Sequence, residues 1–220
     1  MSTLAQRLEA VQSRIRDAAV RAGRDPATVT LIAVSKRQPA AAIREAYALG
    51  VRDFGENYAQ ELRDKAAELA DLTDLRWHAI GPLQTNKARY VADVAHAFHA
   101  LDREAVAEAL VRRRGDRPLE VFLEVNLAGE ASKGGVAPSS LSALHAAIAA
   151  HPTLHIRGLM ALPPLTAAPE DARPHFRQLA GLARDLHLDA LSMGTTADFE
   201  VAIGEGATHV RVGTAIFGPR

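Results

Sequence analysis

The chain has 220 residues, no cysteine, and 26 Lys+Arg against 26 Asp+Glu, so its formal net charge is zero. That balance supplies no general attraction to nucleic acid or anionic lipid, and the missing thiols exclude disulfides, thiolate metal sites and cysteine nucleophiles. The length suits a single domain, 1–220, and no apolar run approaches the roughly 18 residues needed to span a bilayer, so a cytoplasmic location is the default expectation.

Leu4, Leu8, Val11 and Ile15 recur at helical spacing, which predicts an amphipathic N-terminal helix; Glu9 and Asp17 argue against a transit peptide. Beyond it, apolar β-type runs take turns with helical stretches. Strands are expected at 29–35, 52–55, 76–80, 95–100, 119–126, 155–160, 190–192 and 208–212, with helices at 40–49, 103–113, 139–150 and 173–186 among those between them. Pro39, Pro82 and Pro138 fall near helix starts, Gly50 and Gly115 near helix ends, and Arg112-Arg113-Arg114 closes a solvated helix. This order reads as α/β with parallel strands, and eight strands close a single (β/α)8 TIM-type barrel, here with an additional N-terminal helix. The rival, an open doubly wound sheet, carries a glycine-rich turn after its first strand. In this chain Ser35-Lys36-Arg37-Gln38-Pro39 stands there instead.

Function in such a barrel gathers at the C-terminal ends of the strands. The first strand delivers Lys36 to its tip. The second ends in FGENY, with Asn57; the third gives WHAIGPLQTNK, with His78; the sixth gives GLMALPP, with Met160. Alternation turns His209, Arg211 and Gly213 of the last strand to the barrel interior and sets Ile32, Val34 and Lys36 on one face. A partly desolvated Lys36 amine near the Arg211 guanidinium is expected to have a lowered pKa and to act as a nucleophile toward an aldehyde. SMGTT and GT at the last two tips bring glycines that let a ligand approach and hydroxyls that hydrogen-bond it, where this fold commonly holds phosphate. A lysine opposite a phosphate cradle suggests a phosphorylated aldehyde.

These segments together carry a family resemblance. AVSK with a following proline, FGENYAQE, WHAIGPLQTNK, EVNLAGEASKGG, RGLMAL, SMG with DFEVAI, and VRVGTAIFG occur in order from about Leu31 to Gly218. The chain resembles the pyridoxal 5′-phosphate (PLP) homeostasis proteins, which are similar to the N-terminal barrel of alanine racemase, a fold-type III PLP barrel. The resemblance implies PLP as cofactor, held by Lys36 as an aldimine. It implies Arg211 facing the pyridine nitrogen, Ser192, Gly194, Gly213 and Thr214 around the phosphate, and Asn57, His78 and Met160 in the pocket wall. The family usually reads Ser-Met-Gly-Met-Ser, whereas Thr195-Thr196 follow Gly194 here. Thr196 keeps the hydroxyl, so phosphate binding is expected to survive, while Thr195 changes the packing beside the cofactor.

Other readings stay open at this stage. Lys36 can snorkel from a strand end, Arg211 can be a core ion-pair partner of Glu124, and Asn57 can cap the next helix. His78 and Met160 can be plain core, and Lys133 in EASKGG is either a solvated surface lysine or a secondary PLP or partner site. No metal site is expected from His96 and His99. The implied function is a PLP carrier that passes the cofactor to apo PLP-dependent enzymes, with an amino-acid racemase of low activity as the alternative. A Schiff-base aldolase is a third class. The racemase family takes its second base from a tyrosine on a further C-terminal domain, and Tyr47, Tyr58 and Tyr90 are the tyrosines here. Little turnover and a monomer are therefore expected.

Overall fold

Strands with apolar residues on their outward positions need a cover, and the helices between them provide it. The computed structural model describes residues 2–130, 134–164 and 167–218. Its strands are β1 (Thr30–Val34), β2 (Asp53–Glu56), β3 (Arg76–Ala79), β4 (Ala97–Leu101), β5 (Leu119–Glu124), β6 (Leu154–Met160), β7 (Ala190–Thr195) and β8 (His209–Val212). They pair in parallel in sequence order, and β8 returns to β1, closing the barrel. All eight expected strands are present, with ends displaced by a few residues. The largest shift is in β7, which runs on to Thr195; its register against β8 slips between Ser192 and Thr195.

The helices are α1 (Leu4–Arg21), α2 (Ala40–Ala48), α3 (Ala59–Glu68), α4 (Ala88–Val94), α5 (Glu104–Arg114), α6 (Leu141–Ala149), α7 (Arg173–Asp185), α8 (Phe199–Gly204) and α9 (Thr214–Phe217). The apolar core lies largely between them and the outer face of the barrel, where Phe54, Phe98, Phe176 and Phe199 are fully buried. Each such side chain contributes about 2–3 kcal/mol relative to an exposed one. Helix α1 opens with a capping box between Thr3 and Gln6 and buries Leu4, Leu8, Val11 and Ile15, as their spacing predicts. It packs on α8, α9 and α2, covering the seam where the last strand meets the first. The three arginines do close α5. Arg113 forks onto Asp93, and Arg114 donates to the carbonyls of Ala92 and Ala95, so they tie α5 to α4.

Candidate functional site

Lys36 stands just past β1, on a turn built by its neighbours. Gln38 N–H donates to Ser35 O, and Arg37 takes φ +60°, an uncommon conformation for a side chain of its size. Glu61 of α3 holds that turn by accepting from Arg37 N–H at 2.5 Å. Beneath it, Ser35 Oγ donates to Glu56 Oε1 at 2.7 Å, and Lys65 Nζ donates at 2.7 Å to Ser35 O, Glu56 Oε1 and Glu61 Oε1. Burial pushes the Glu56 carboxyl up against the pull of Lys65. The Glu61–Lys65 spacing on α3 was visible as an i,i+4 pair in sequence. Its use as a brace for the β1 turn was not, because that depends on how α3 docks.

A cavity of about 410 Å³ opens at the C-terminal mouth of the barrel, beside this turn. Seven of the ten expected residues line it: Lys36, Asn57, Met160, Thr196, Arg211, Gly213 and Thr214. Val34, Ile80, Pro82 and Leu162 give it apolar walls, and Glu124 adds a carboxyl. Gly81 also lines it, and a β-carbon there would come within 2.3 Å of Asn57 O, so only glycine lets these two tips meet. Asn57 does not cap α3. The helix starts without a side-chain cap, and Asn57 Oδ1 is buried without a hydrogen-bond partner.

The hydroxyl side of the cavity comes from the β7–α8 and β8–α9 loops. Thr196 Oγ1 accepts from Gly213 N–H at 3.3 Å and lies 3.4 Å from Thr214 Oγ1. Thr195 turns its hydroxyl to Asp198 Oδ1 at 3.0 Å, and its N–H reaches the same oxygen at 2.6 Å. The Thr195 hydroxyl therefore secures the loop from within, even though the residue also borders the cavity.

Arg211 is 6 % exposed and held by neutral acceptors, Ser192 O and Oγ at 2.7 Å each and Ala161 O at 3.0 Å. The ion pair with Glu124 does not form. Burial pulls the guanidinium down to about 10 against the longer-range attraction of Glu124 and Asp198, which leaves it a cation at neutral pH. Glu124 is pushed up to about 7 by burial and by repulsion from Asp102, with Arg211 opposing.

Three expected residues do not line the cavity: His78 and Ser192 join the interior of the barrel, and Gly194 packs against α8. His78 points inward beneath the cavity, between Asp53 Oδ1 and His99 Nε2, each at 2.9 Å. Ser192 is fully buried and meets Arg211 and His99 instead of the loop hydroxyls. Gly194 has φ +90°, and a β-carbon there would meet Ala202 Cβ at 2.6 Å, so its task is to let α8 close on β7. Lys133 lies outside the described residues. Asp53 carried no expectation, and His99 was weighed only as a metal ligand; their strand parity, shared with Asn57 and Ala97, was the available signal for an inward place.

The alanine racemase N-terminal domain family matches residues 6–220 of the chain. The pyridoxal phosphate homeostasis protein of Pseudomonas aeruginosa is 54% identical over 224 residues, covering 100% of this chain and 97% of that protein. Among solved structures, PipY of Synechococcus elongatus with PLP bound is similar at a TM-score of 0.87 and 40% identity, covering 98% of this chain and 100% of that one. Alanine racemase from Corynebacterium glutamicum shares the fold, at a TM-score of 0.66 and 22% identity over 97% of this chain and 62% of that one.

Proposed function

The chain belongs to the pyridoxal phosphate homeostasis protein family, and from that premise we propose that it binds PLP at the barrel mouth, with Lys36 as the covalent attachment point, and holds and hands on the cofactor with little turnover of its own. The observation that carries this reading is the convergence of a primary amine, a fixed guanidinium and a hydroxyl cluster on one cavity. The donor set fits the group. Thr196 and Thr214 offer hydroxyls to a phosphate, the unpaired Asn57 Oδ1 offers an acceptor to a ring hydroxyl, and Val34, Ile80 and Met160 give an aromatic ring apolar walls.

When bound, PLP supplies an aldehyde that a primary amine can capture and a pyridine ring that can withdraw electrons. Lys36 Nζ provides the amine at the half-buried rim. Arg211 can only donate, so the ring atom it faces must accept; as a cation it also disfavours a proton on that atom and weakens electron withdrawal. That weakens the electron sink without by itself deciding turnover. Displacement of Lys36 by another primary amine is one route of release to an apo-enzyme, and the rim position of Lys36 leaves such an amine a way in.

One observation favours the second reading, a racemase of low activity. Racemisation needs a proton acceptor on each side of the substrate carbon, and Glu124 lines the same cavity as Lys36 with its carboxyl near neutrality. None of the three tyrosines lines it. The experiment is a visible spectrum of the protein with PLP, borohydride trapping and peptide mass mapping, followed by an amino-acid turnover screen and transfer to an apo PLP enzyme. Trapped mass on the peptide bearing Lys36, with transfer faster than free PLP allows and turnover near background, is the expected result. Trapping elsewhere removes the attachment site. Robust racemisation lost in Glu124→Gln establishes the second reading instead.

A further inference from the structure

A file of polar side chains runs through the barrel below the cavity, where a barrel interior would ordinarily be filled by branched apolar residues. From the cavity floor inward, Arg211 Nη1 lies 2.7 Å from Ser192 Oγ and Ser192 Oγ lies 2.8 Å from His99 Nδ1. His99 Nε2 lies 2.9 Å from His78 Nδ1, and His78 Nε2 lies 2.9 Å from Asp53 Oδ1. Ser192, His99, His78 and Asp53 are all buried, at 0, 0, 5 and 8 % exposure. They come from β7, β4, β3 and β2, so the file crosses the barrel from one wall to another.

The two ends dictate its direction. A guanidinium only donates, and an ionised carboxylate only accepts. Burial alone would push the Asp53 carboxyl up, but the bonds from His78 and Arg76 outweigh it and hold Asp53 low, as the anion. Arg76 seals that end with Nε at 2.8 Å from Asp53 Oδ1 and Nη2 at 2.5 Å from Oδ2. One assignment then satisfies every group. Arg211 donates to Ser192 Oγ, Ser192 O–H to His99 Nδ1, His99 Nε2–H to His78 Nδ1, and His78 Nε2–H to Asp53 Oδ1. Both imidazoles are neutral and both carry the proton on Nε2. Protonating His78 would reverse the middle bonds, leave the Ser192 hydroxyl proton without an acceptor in the file, and add a buried charge. His99 is additionally clamped by Phe122, stacked at 4.2 Å between centroids, with His209 edge-on at 6.0 Å.

We propose that Asp53, His78, His99 and Ser192 form a one-way relay of hydrogen bonds that positions Arg211, so that its remaining N–H donors present a fixed face to the ring nitrogen of PLP. Three of the five guanidinium N–H groups are engaged by Ser192 O, Ser192 Oγ and Ala161 O, which leaves two for the cavity. The relay keeps Ser192 Oγ turned as an acceptor toward Arg211, because its proton is committed to His99. These are positioning residues that act through Arg211, and the inference rests on the proposed PLP site.

The test begins with the apo-protein. Nitrogen-15 NMR of the histidine rings is expected to show His78 and His99 as Nε2–H tautomers; an Nδ1–H tautomer at either one refutes the direction. His99→Phe keeps the stack on Phe122 and cuts the relay. With ring-labelled PLP it is expected to retain borohydride trapping at Lys36, to lose about tenfold in affinity, the scale of one hydrogen bond, and to move the pyridine nitrogen signal toward its protonated value. Ser192→Ala, a milder cut, is expected to move the same signal the same way, which keeps the question answerable if His99→Phe does not fold. If wild type takes up PLP and both variants leave affinity and pyridine signal unchanged, the positioning role alone is wrong. If wild type takes up no PLP, the proposed function falls and the positioning role with it.

Discussion

The two faces of one sheet make a sharp contrast. Outward positions of the strands carry Ala33, Phe54, Phe98 and Val210, packed against helices in an apolar layer. Inward positions carry Asp53, His78, His99, Ser192 and Arg211, joined by hydrogen bonds. Neighbours in sequence such as Phe98 and His99 therefore belong to different energetic worlds. The outer layer is non-directional and insensitive to pH. The inner file depends on donor and acceptor geometry, and a substitution there leaves a partner unsatisfied, at a cost of roughly 1–3 kcal/mol. What holds the barrel together and what prepares its mouth are separated by a single residue step.

The contrast can be broken most completely at the rim. Lys36→Ala is expected to abolish borohydride-trapped PLP altogether, while the melting temperature stays within a few degrees of wild type, since the side chain is only half-buried. An altered fold in that variant, seen by circular dichroism, would mean that the rim also carries stability. On the outer face, Phe98→Ala is expected to cost about 3–5 kcal/mol in urea unfolding. Its remaining folded molecules should take up PLP as wild type does; a parallel loss of affinity would show that the two faces are not independent.

The pH dependence separates them further. Glu124 is held near 7 in the folded chain and titrates at its ordinary, lower value when unfolded. The folded state therefore binds the extra proton, and the Glu124 contribution is full below the unfolded pKa and lost as pH rises through about 7. Glu124→Gln is expected to remove a decline of at most about 3 kcal/mol across that window. His99 and His209 act in the opposite sense: burial depresses both, His209 to about 4, so their contribution is lost as pH falls. The difference between Glu124→Gln and wild type, measured by denaturation at several pH values, isolates the Glu124 share. An unchanged curve would place its carboxyl in water.

The smallest effect belongs to the hydroxyl cluster. Thr196→Val is expected to weaken PLP binding about tenfold, the scale of one hydrogen bond, and to leave binding of pyridoxal, which lacks the phosphate, unchanged. Equal losses for both ligands, measured by titration, would move the phosphate away from Thr196.

Much of this is legible in the order of residues. Strand tips can be read one by one, and Lys36, Asn57, Met160, Thr196, Arg211, Gly213 and Thr214, read that way, line one cavity. His78 and Ser192 were assigned to that mouth and belong to the layer below it, because depth along a strand depends on register, which slips between Ser192 and Thr195. Lys65 escaped because a helix residue becomes a brace for a strand tip only after docking. The apolar rim residue Leu162, 51 % exposed, gave no signal among many leucines.

The alternation of strand and helix, the inward or outward parity of each strand residue, and the chemistry available at each tip follow from the order of residues alone. These are local properties, set by a two-residue repeat and by where a strand stops. Which inward residues touch depends on how the strands assemble. Asp53, His78, His99 and Ser192 lie on four strands, with partners 21 to 93 positions apart along the chain. Closing β8 onto β1 and staggering the strands brought them within hydrogen-bond reach of one another, and neither closure nor stagger is written in any short stretch of residues.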